Sequence, residues 1–263
     1  MSEVTPHQKK CSVRRSSSTE PQVIRGKVLT ILSSARSVVL MDDSLSPVGY
    51  HLSELIELHK ALTLAGYQLV FATPDGNTPI PDPAGLAVMD PELRLEYELY
   101  LDNIIGLMMP YKFTDITEEL LYNLSGLLIP GGRAALSDLP GQKDLKRILR
   151  HMKAHVKPIV AIGHGVAGLL QPPEAGETWL FYDYEMTCYP KPLEERYCKR
   201  HAQMRPKLEL NEALDELGAE LRFHHHLTRE FIVEFKELLT GQNSASAKSL
   251  AKLAICNLNK NHR

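Results

Sequence analysis

Short apolar runs recur along this chain, each closed by a glycine or proline turn and each next to a segment of helical spacing. Gly26-Lys27-Val28-Leu29-Thr30-Ile31-Leu32 reads as a first buried strand. Residues 51–65 place Leu52, Leu55, Ile56, Leu58, Leu62 and Leu64 at mostly helical spacing, and Gly66 follows as a stop. Tyr67 to Ala72 is a second strand, ended by Pro74-Asp75-Gly76. Strand, helix, strand within so short a span is a βαβ unit, and such units build parallel sheets.

The pattern continues. Leu127-Leu128-Ile129 is a strand running into Pro130-Gly131-Gly132, and Asp144 to Ala154 is an amphipathic helix. Ile159-Val160-Ala161-Ile162 leads straight into Gly163-His164-Gly165 and a helix over Val166 to Leu170. Residues 178–187 read as a strand or hairpin, 208–217 as a helix, 231–233 and 238–243 as strands with a turn, and 244–258 as a closing helix. Residues 77–116, proline-rich and then helical, read as an insertion lying over the sheet. The predicted class is α/β: a doubly wound, mostly parallel, flavodoxin-like sheet with helices on both faces. No linker or repeat divides residues 26–263. Residues 1–25 lack apolar periodicity and read as a disordered tail.

Composition narrows the function class. The chain has 263 residues, 43% of them hydrophobic, enough for a core without staples. A formal net charge of -2 with no basic stripe argues against nucleic acid. No apolar run approaches the ~18 residues needed to span a membrane. Cys11, Cys188, Cys198 and Cys256 match neither a zinc spacing nor a disulfide framework. They read as reduced thiols of a cytoplasmic protein. His224-His225-His226 has no carboxylate or cysteine to complete a metal set and reads as a loop, so neither metal nor cofactor is expected.

The string KPIVAIGHGVAGLL, residues 157–170, resembles the strand–elbow–helix of the ThiJ/PfpI superfamily, which has the class I glutamine amidotransferase-like fold. Four further stretches agree in order: GYHLSELIELHKALTLAGYQLVFATPDG, IPGGRAALSDLP, WLFYDYEMTCYPKPLEE and LLTGQNSASAKSLAKLAI. The insertion and the LTGQN ending look most like the chaperone and glyoxalase III branch. That resemblance implies an elbow cysteine attacking a carbonyl, assisted by histidine, a downstream acid and a glutamate on the first helix. Carried over, the glutamate falls on Glu54, the histidine on His164, and the acid on Glu194 with Glu195 beside it. The amide cradle for an oxyanion falls on Gly131 and Gly132. A homodimer is also implied.

The nucleophile position falls on Gly163. Arg133 stands where the branch usually has histidine, and Glu57 where it usually has another. A nucleophile elbow holds its residue in a strained backbone conformation, which glycine adopts at almost no cost. The thiolate routes of glyoxalase III, deglycase, peptidase and amidotransferase therefore lack their nucleophile. Cys188, near the acid, is the least implausible substitute; a buried structural thiol is the plainer reading. Glu54, His164 and Glu194 remain, and a carboxylic acid beside an imidazole suffices for non-covalent proton transfer. The expectation is a lyase, hydratase or isomerase acting on a small carbonyl compound. The alternative is a pseudoenzyme, a chaperone-like dimeric binding protein. Arg133 could bind a substrate carboxylate in a bidentate manner, or be a surface arginine. Trp179, Tyr182, Tyr184 and Tyr189 are candidates for either pocket wall or core.

Overall fold

The computed structural model describes residues 24–260. Seven strands form the central sheet: β1 (Gly26–Ile31), β2 (Tyr67–Thr73), β3 (Tyr111–Lys112), β4 (Leu124–Ile129), β5 (Ile159–Ile162), β6 (Ile232–Phe235) and β7 (Leu238–Gly241). Their order is β6-β7-β5-β4-β1-β2-β3. All neighbours are parallel except β6, which pairs antiparallel with β7 at the edge. The helices named below are α1 (Leu52–Leu64), α2 (Pro83–Val88), α3 (Pro91–Leu101), α4 (Lys143–Ala154), α5 (Lys191–Arg200), α6 (Leu210–Glu216) and α7 (Ala247–Lys260).

Alternation along the strands explains the two-sided architecture. Successive side chains of a strand point to opposite faces, and here both faces are dry. Val160 and Ile162 of β5 join one buried cluster with Leu55 of α1 and Leu250 of α7. Ile159 and Ala161 join the other with Leu145 and Ile148 of α4. β4 divides the same way, Leu128 to the first cluster and Leu127 and Ile129 to the second. Strands buried on both faces read as continuous apolar runs rather than alternating ones.

Four readings change in the structure. Residues 77–116 are not wholly outside the sheet: Tyr111 and Lys112 pair with Ala72 and Thr73 of β2. α2, α3, the short helix Ile105–Met108 and the 3-10 helix Phe113–Asp115 lie apart from it. The helix after β5 is a 3-10 helix over Gly163–Leu169. Its glycines pack so tightly that a Cβ on Gly165 would run into the Ile129 carbonyl oxygen. Residues 178–187 are mostly turns, and only Glu185–Met186 is a strand, paired parallel with Glu220–Leu221. The helix α5 answers to nothing read from the sequence. The tail expected over residues 1–25 lies, up to residue 23, outside the described residues.

Candidate active site

The site lies beyond the carboxyl ends of β4 and β5, where doubly wound sheets place their ligands. β5 ends at Ile162, and Gly163 turns the chain with φ of +56°. This is the left-handed region, where an L side chain is strained. A Cβ built on Gly163 would lie 3.4 Å from Glu54 Oε1 and 3.6 Å from Oε2, an ordinary contact distance. A side chain at Gly163 would therefore stand in ordinary contact with the Glu54 carboxyl group.

Glu54 sits in the first turn of α1 and is 3% exposed. The Gly131 amide donates to its Oε2 at 2.9 Å. That amide, expected to cradle an oxyanion, is thus directed at an internal carboxyl group. Gly132 has φ of +123°, and a Cβ there would run into the Gly49 carbonyl oxygen, so the turn after β4 requires glycine.

His164 pairs with Glu194 rather than with Glu54: Nε2 and Oε2 are 2.9 Å apart. The other carboxylate oxygen, Oε1, lies 3.0 Å from the Arg133 guanidinium and accepts a long contact from the Cys198 thiol at 3.6 Å. Arg133 is not a surface residue. It is 6% exposed and lies 4.7 Å over the Tyr197 ring. Tyr189 stacks on the His164 ring at 4.4 Å. Burial alone would raise the Glu194 carboxyl group. The hydrogen bond with His164 and the charges of His164 and Arg133 instead hold it below its ordinary value of 4.5. Burial, then the Glu194 and Glu54 charges, pushes the Tyr189 phenol up to about 12.

A depressed carboxylate contributes stability that is present above the unfolded-state pKa and lost as pH falls through the folded one. Glu194→Gln should therefore narrow the gap in melting temperature between pH 7 and pH 3.5 relative to the unaltered protein. Equal acid sensitivity in the two proteins would show that Glu194 is not held ionised.

Glu54, Gly132, Arg133, His164, Tyr189 and Glu194 all open onto one cleft of about 420 Å³. The sequence did not point to His51, Asp82, Tyr197, Arg200 or His201, which also line it. The last three were hidden with α5. Glu194, Tyr197 and His201 are spaced i, i+3 and i+7, one face of a helix, and that spacing was the available signal. Glu195 points elsewhere, to Arg205 at 3.4 Å. Cys188 is fully buried against Asn211, and burial drives its thiol well up, so it is no displaced nucleophile. Of the aromatic candidates only Tyr189 reaches the cleft; Trp179 and Tyr184 are core and Tyr182 is half exposed. The three histidines lie in a loop after Glu220–Leu221.

The protein/nucleic acid deglycase HchA of Pseudomonas aeruginosa (strain LESB58) is 28% identical over 235 residues, 87% of this chain and 79% of the relative. The glutamine amidotransferase-like class 1 domain-containing protein 1 of Xenopus laevis is 32% identical over 133 residues, 50% of this chain and 56% of the relative. The crystal structure of glyoxalase III from Candida albicans superposes with a TM-score of 0.71 at 22% identity, covering 88% of this chain and 97% of that one. The chain resembles ThiJ/PfpI proteins in sequence and shares their fold. No family model matches it. It has the flavodoxin-like sheet and a left-handed turn directly after β5. Among the described residues no helix is long and apolar enough to cross a membrane.

Proposed function

We propose that this protein is a non-covalent lyase, hydratase or isomerase acting on a small carbonyl compound. The observation that carries the reading is the space at Gly163. It faces the Glu54 carboxyl group at 3.4–3.6 Å while the His164–Glu194 pair stays intact at 2.9 Å on the same cleft. A substrate atom or a water occupies the place of the lost thiol. Glu54 takes a proton from the carbon next to the carbonyl, and the electron pair moves onto the carbonyl oxygen. The proton then returns at a neighbouring atom, so no bond to the protein forms.

His164 supports this step through Glu194. An ionised carboxylate only accepts hydrogen bonds, so Nε2 of His164 carries a proton and donates it to Glu194. The Gly132 amide then faces the charge that develops on the oxygen. Gly131, engaged by Glu54, acts by orienting that carboxyl group.

The test is solvent exchange. In D₂O, with dihydroxyacetone, hydroxyacetone or 2-oxobutyrate, proton NMR should show loss of the signal from the carbon beside the carbonyl, faster than in buffer. Prior treatment with iodoacetamide should leave the rate unchanged, because no thiol takes part. Exchange at the buffer rate for all three compounds, or exchange abolished by alkylation, overturns the reading.

A second reading, a chaperone-like dimeric binding protein, draws on the insertion. Ile105 and Met109 there are 77% and 79% exposed, and apolar surface of this kind marks protein contact sites. A holdase should suppress aggregation of a heated client even with Glu54→Gln and His164→Ala in place. Loss of suppression in that double variant would tie the effect to the cleft instead.

A further inference from the structure

The cleft is larger than the smallest carbonyl compounds would fill, and its lining is unequal in character. At about 30 Å³ per non-hydrogen atom, the share of a water in its liquid, it has room for on the order of 14 such atoms. A three-carbon dicarbonyl has five. Sites of roughly 300–1,000 Å³ ordinarily take much larger ligands.

One wall is apolar. The helix α2, fixed by its Asp82 cap, buries none of its residues, and Ala84, Leu86, Val88 and Met89 line the cleft. Val88 is 77% exposed. The opposite wall is the end of α5, with Tyr197, Arg200 and His201.

The charges of the lining are unequal in what they already hold. Glu54 accepts from the Gly131 amide, and Glu194 is shared between His164 and Arg133. Asp82 accepts from the Gly85 amide at 2.9 Å and the Gly49 amide at 3.3 Å. Arg200 makes no ion pair among the described residues. Arg133 also retains one buried donor, Nε, without a partner. The uncommitted positive charge therefore stands at the far end of α5 from Glu194. Six residues of helix separate the two, roughly 9 Å at 1.5 Å per residue.

We propose that the substrate is a medium-chain oxo carboxylic acid: its carbonyl at the Gly163 space, its methylene chain along α2, its carboxylate on Arg200. This deepens the acid–base reading and rests on the cleft being a small-molecule site. A guanidinium takes a carboxylate through two parallel hydrogen bonds, and the offset of Arg200 along α5 from the His164–Glu194 pair, about 9 Å of helix, suits a chain of several carbons rather than one.

Calorimetric titration of the whole protein with 7-oxooctanoate, its methyl ester and 4-oxopentanoate tests this. Burial of each methylene should tighten binding roughly fourfold, so 7-oxooctanoate should bind more than tenfold tighter than 4-oxopentanoate. The acid should exceed its ester about tenfold, and Arg200→Gln should erase that gap. Val88→Asp should weaken 7-oxooctanoate without that charge being removed. Equal affinity for the two acids, equal affinity for acid and ester, or a gap that survives Arg200→Gln each overturns the proposal. Tight binding of 7-oxooctanoate with no deuterium exchange would sink the acid–base reading and leave the ligand class standing. Exchange on three- and four-carbon compounds with no gain from a longer acid would do the reverse.

Discussion

Glu54→Gln should lower the rate of carbon–hydrogen exchange by roughly 10²–10⁴-fold, the usual contribution of a positioned general acid–base group. The substitution suits the site because it separates chemistry from structure. Gly131 donates to Oε2 of Glu54, and a glutamine side-chain oxygen can accept the same bond. Glu54→Ala would instead leave a buried amide unpaired, at a cost of about 1–3 kcal/mol, and would confuse loss of activity with loss of fold. Glu54→Gln should therefore melt within a few degrees of the unaltered protein while losing turnover. A well-folded variant with unchanged exchange would place the proton on another group. His164→Ala is the complementary change. With Nε2 held by Glu194, its loss should slow exchange less than loss of the proton carrier itself. A larger loss than in Glu54→Gln would reverse the two roles.

The sheet was legible because its strands are buried on both faces. Leu127 to Ile129 and Ile159 to Ile162 are unbroken apolar runs between turn residues, and Tyr67 to Ala72 is interrupted only by the exposed Gln68; burial on both sides of the sheet explains these runs. The elbow was legible for a different reason: a glycine pair after one strand and Gly-His-Gly after another are backbone requirements. Gly132 with φ of +123° and Gly163 with φ of +56° bear the requirement out.

What stayed hidden lacks a core-facing stripe. α5 carries Lys191, Glu194, Glu195, Arg196, Lys199 and Arg200 in ten residues and buries only Leu193 and Cys198. Its helical signal was instead at its ends: proline in the first turn, acid early and base late. Missing α5 had a cost in the site, since the helix delivers Glu194 together with Tyr197, Arg200 and His201. The strand Tyr111–Lys112 was illegible on other grounds. It is two residues long, both exposed, and only its neighbour Ala72–Thr73 makes it a strand. Partners distant in sequence decided the rest. Arg133 looks like any surface arginine until Glu194 is folded against it, 3.0 Å away.

The reverse experiment places a cysteine at Gly163, where the ThiJ/PfpI resemblance implies one. Gly163→Cys places a Cβ 3.4–3.6 Å from the Glu54 carboxyl oxygens, with no backbone in its way. The remaining cost is the left-handed backbone, of order 1–3 kcal/mol for a side chain there. At roughly 2–4 °C per kcal/mol for a domain of this size, the melting temperature should fall by several degrees without loss of fold. In exchange the variant should gain one thiol that iodoacetamide modifies quickly. A cysteine beside His164 is a position where the thiolate is favoured whenever the imidazole is protonated. It should also convert methylglyoxal to D-lactate, with the thiolate adding to the aldehyde carbon and a proton moving between the two carbons before water releases the product. The unaltered protein should form no D-lactate above buffer. Formation of D-lactate by the unaltered protein at a comparable rate would show that Gly163 does not mark a lost activity. A folded, thiol-reactive variant that forms none would locate the block in the neighbours instead. The first suspect would then be Arg133, which stands where the ThiJ/PfpI resemblance implies histidine and holds one oxygen of Glu194.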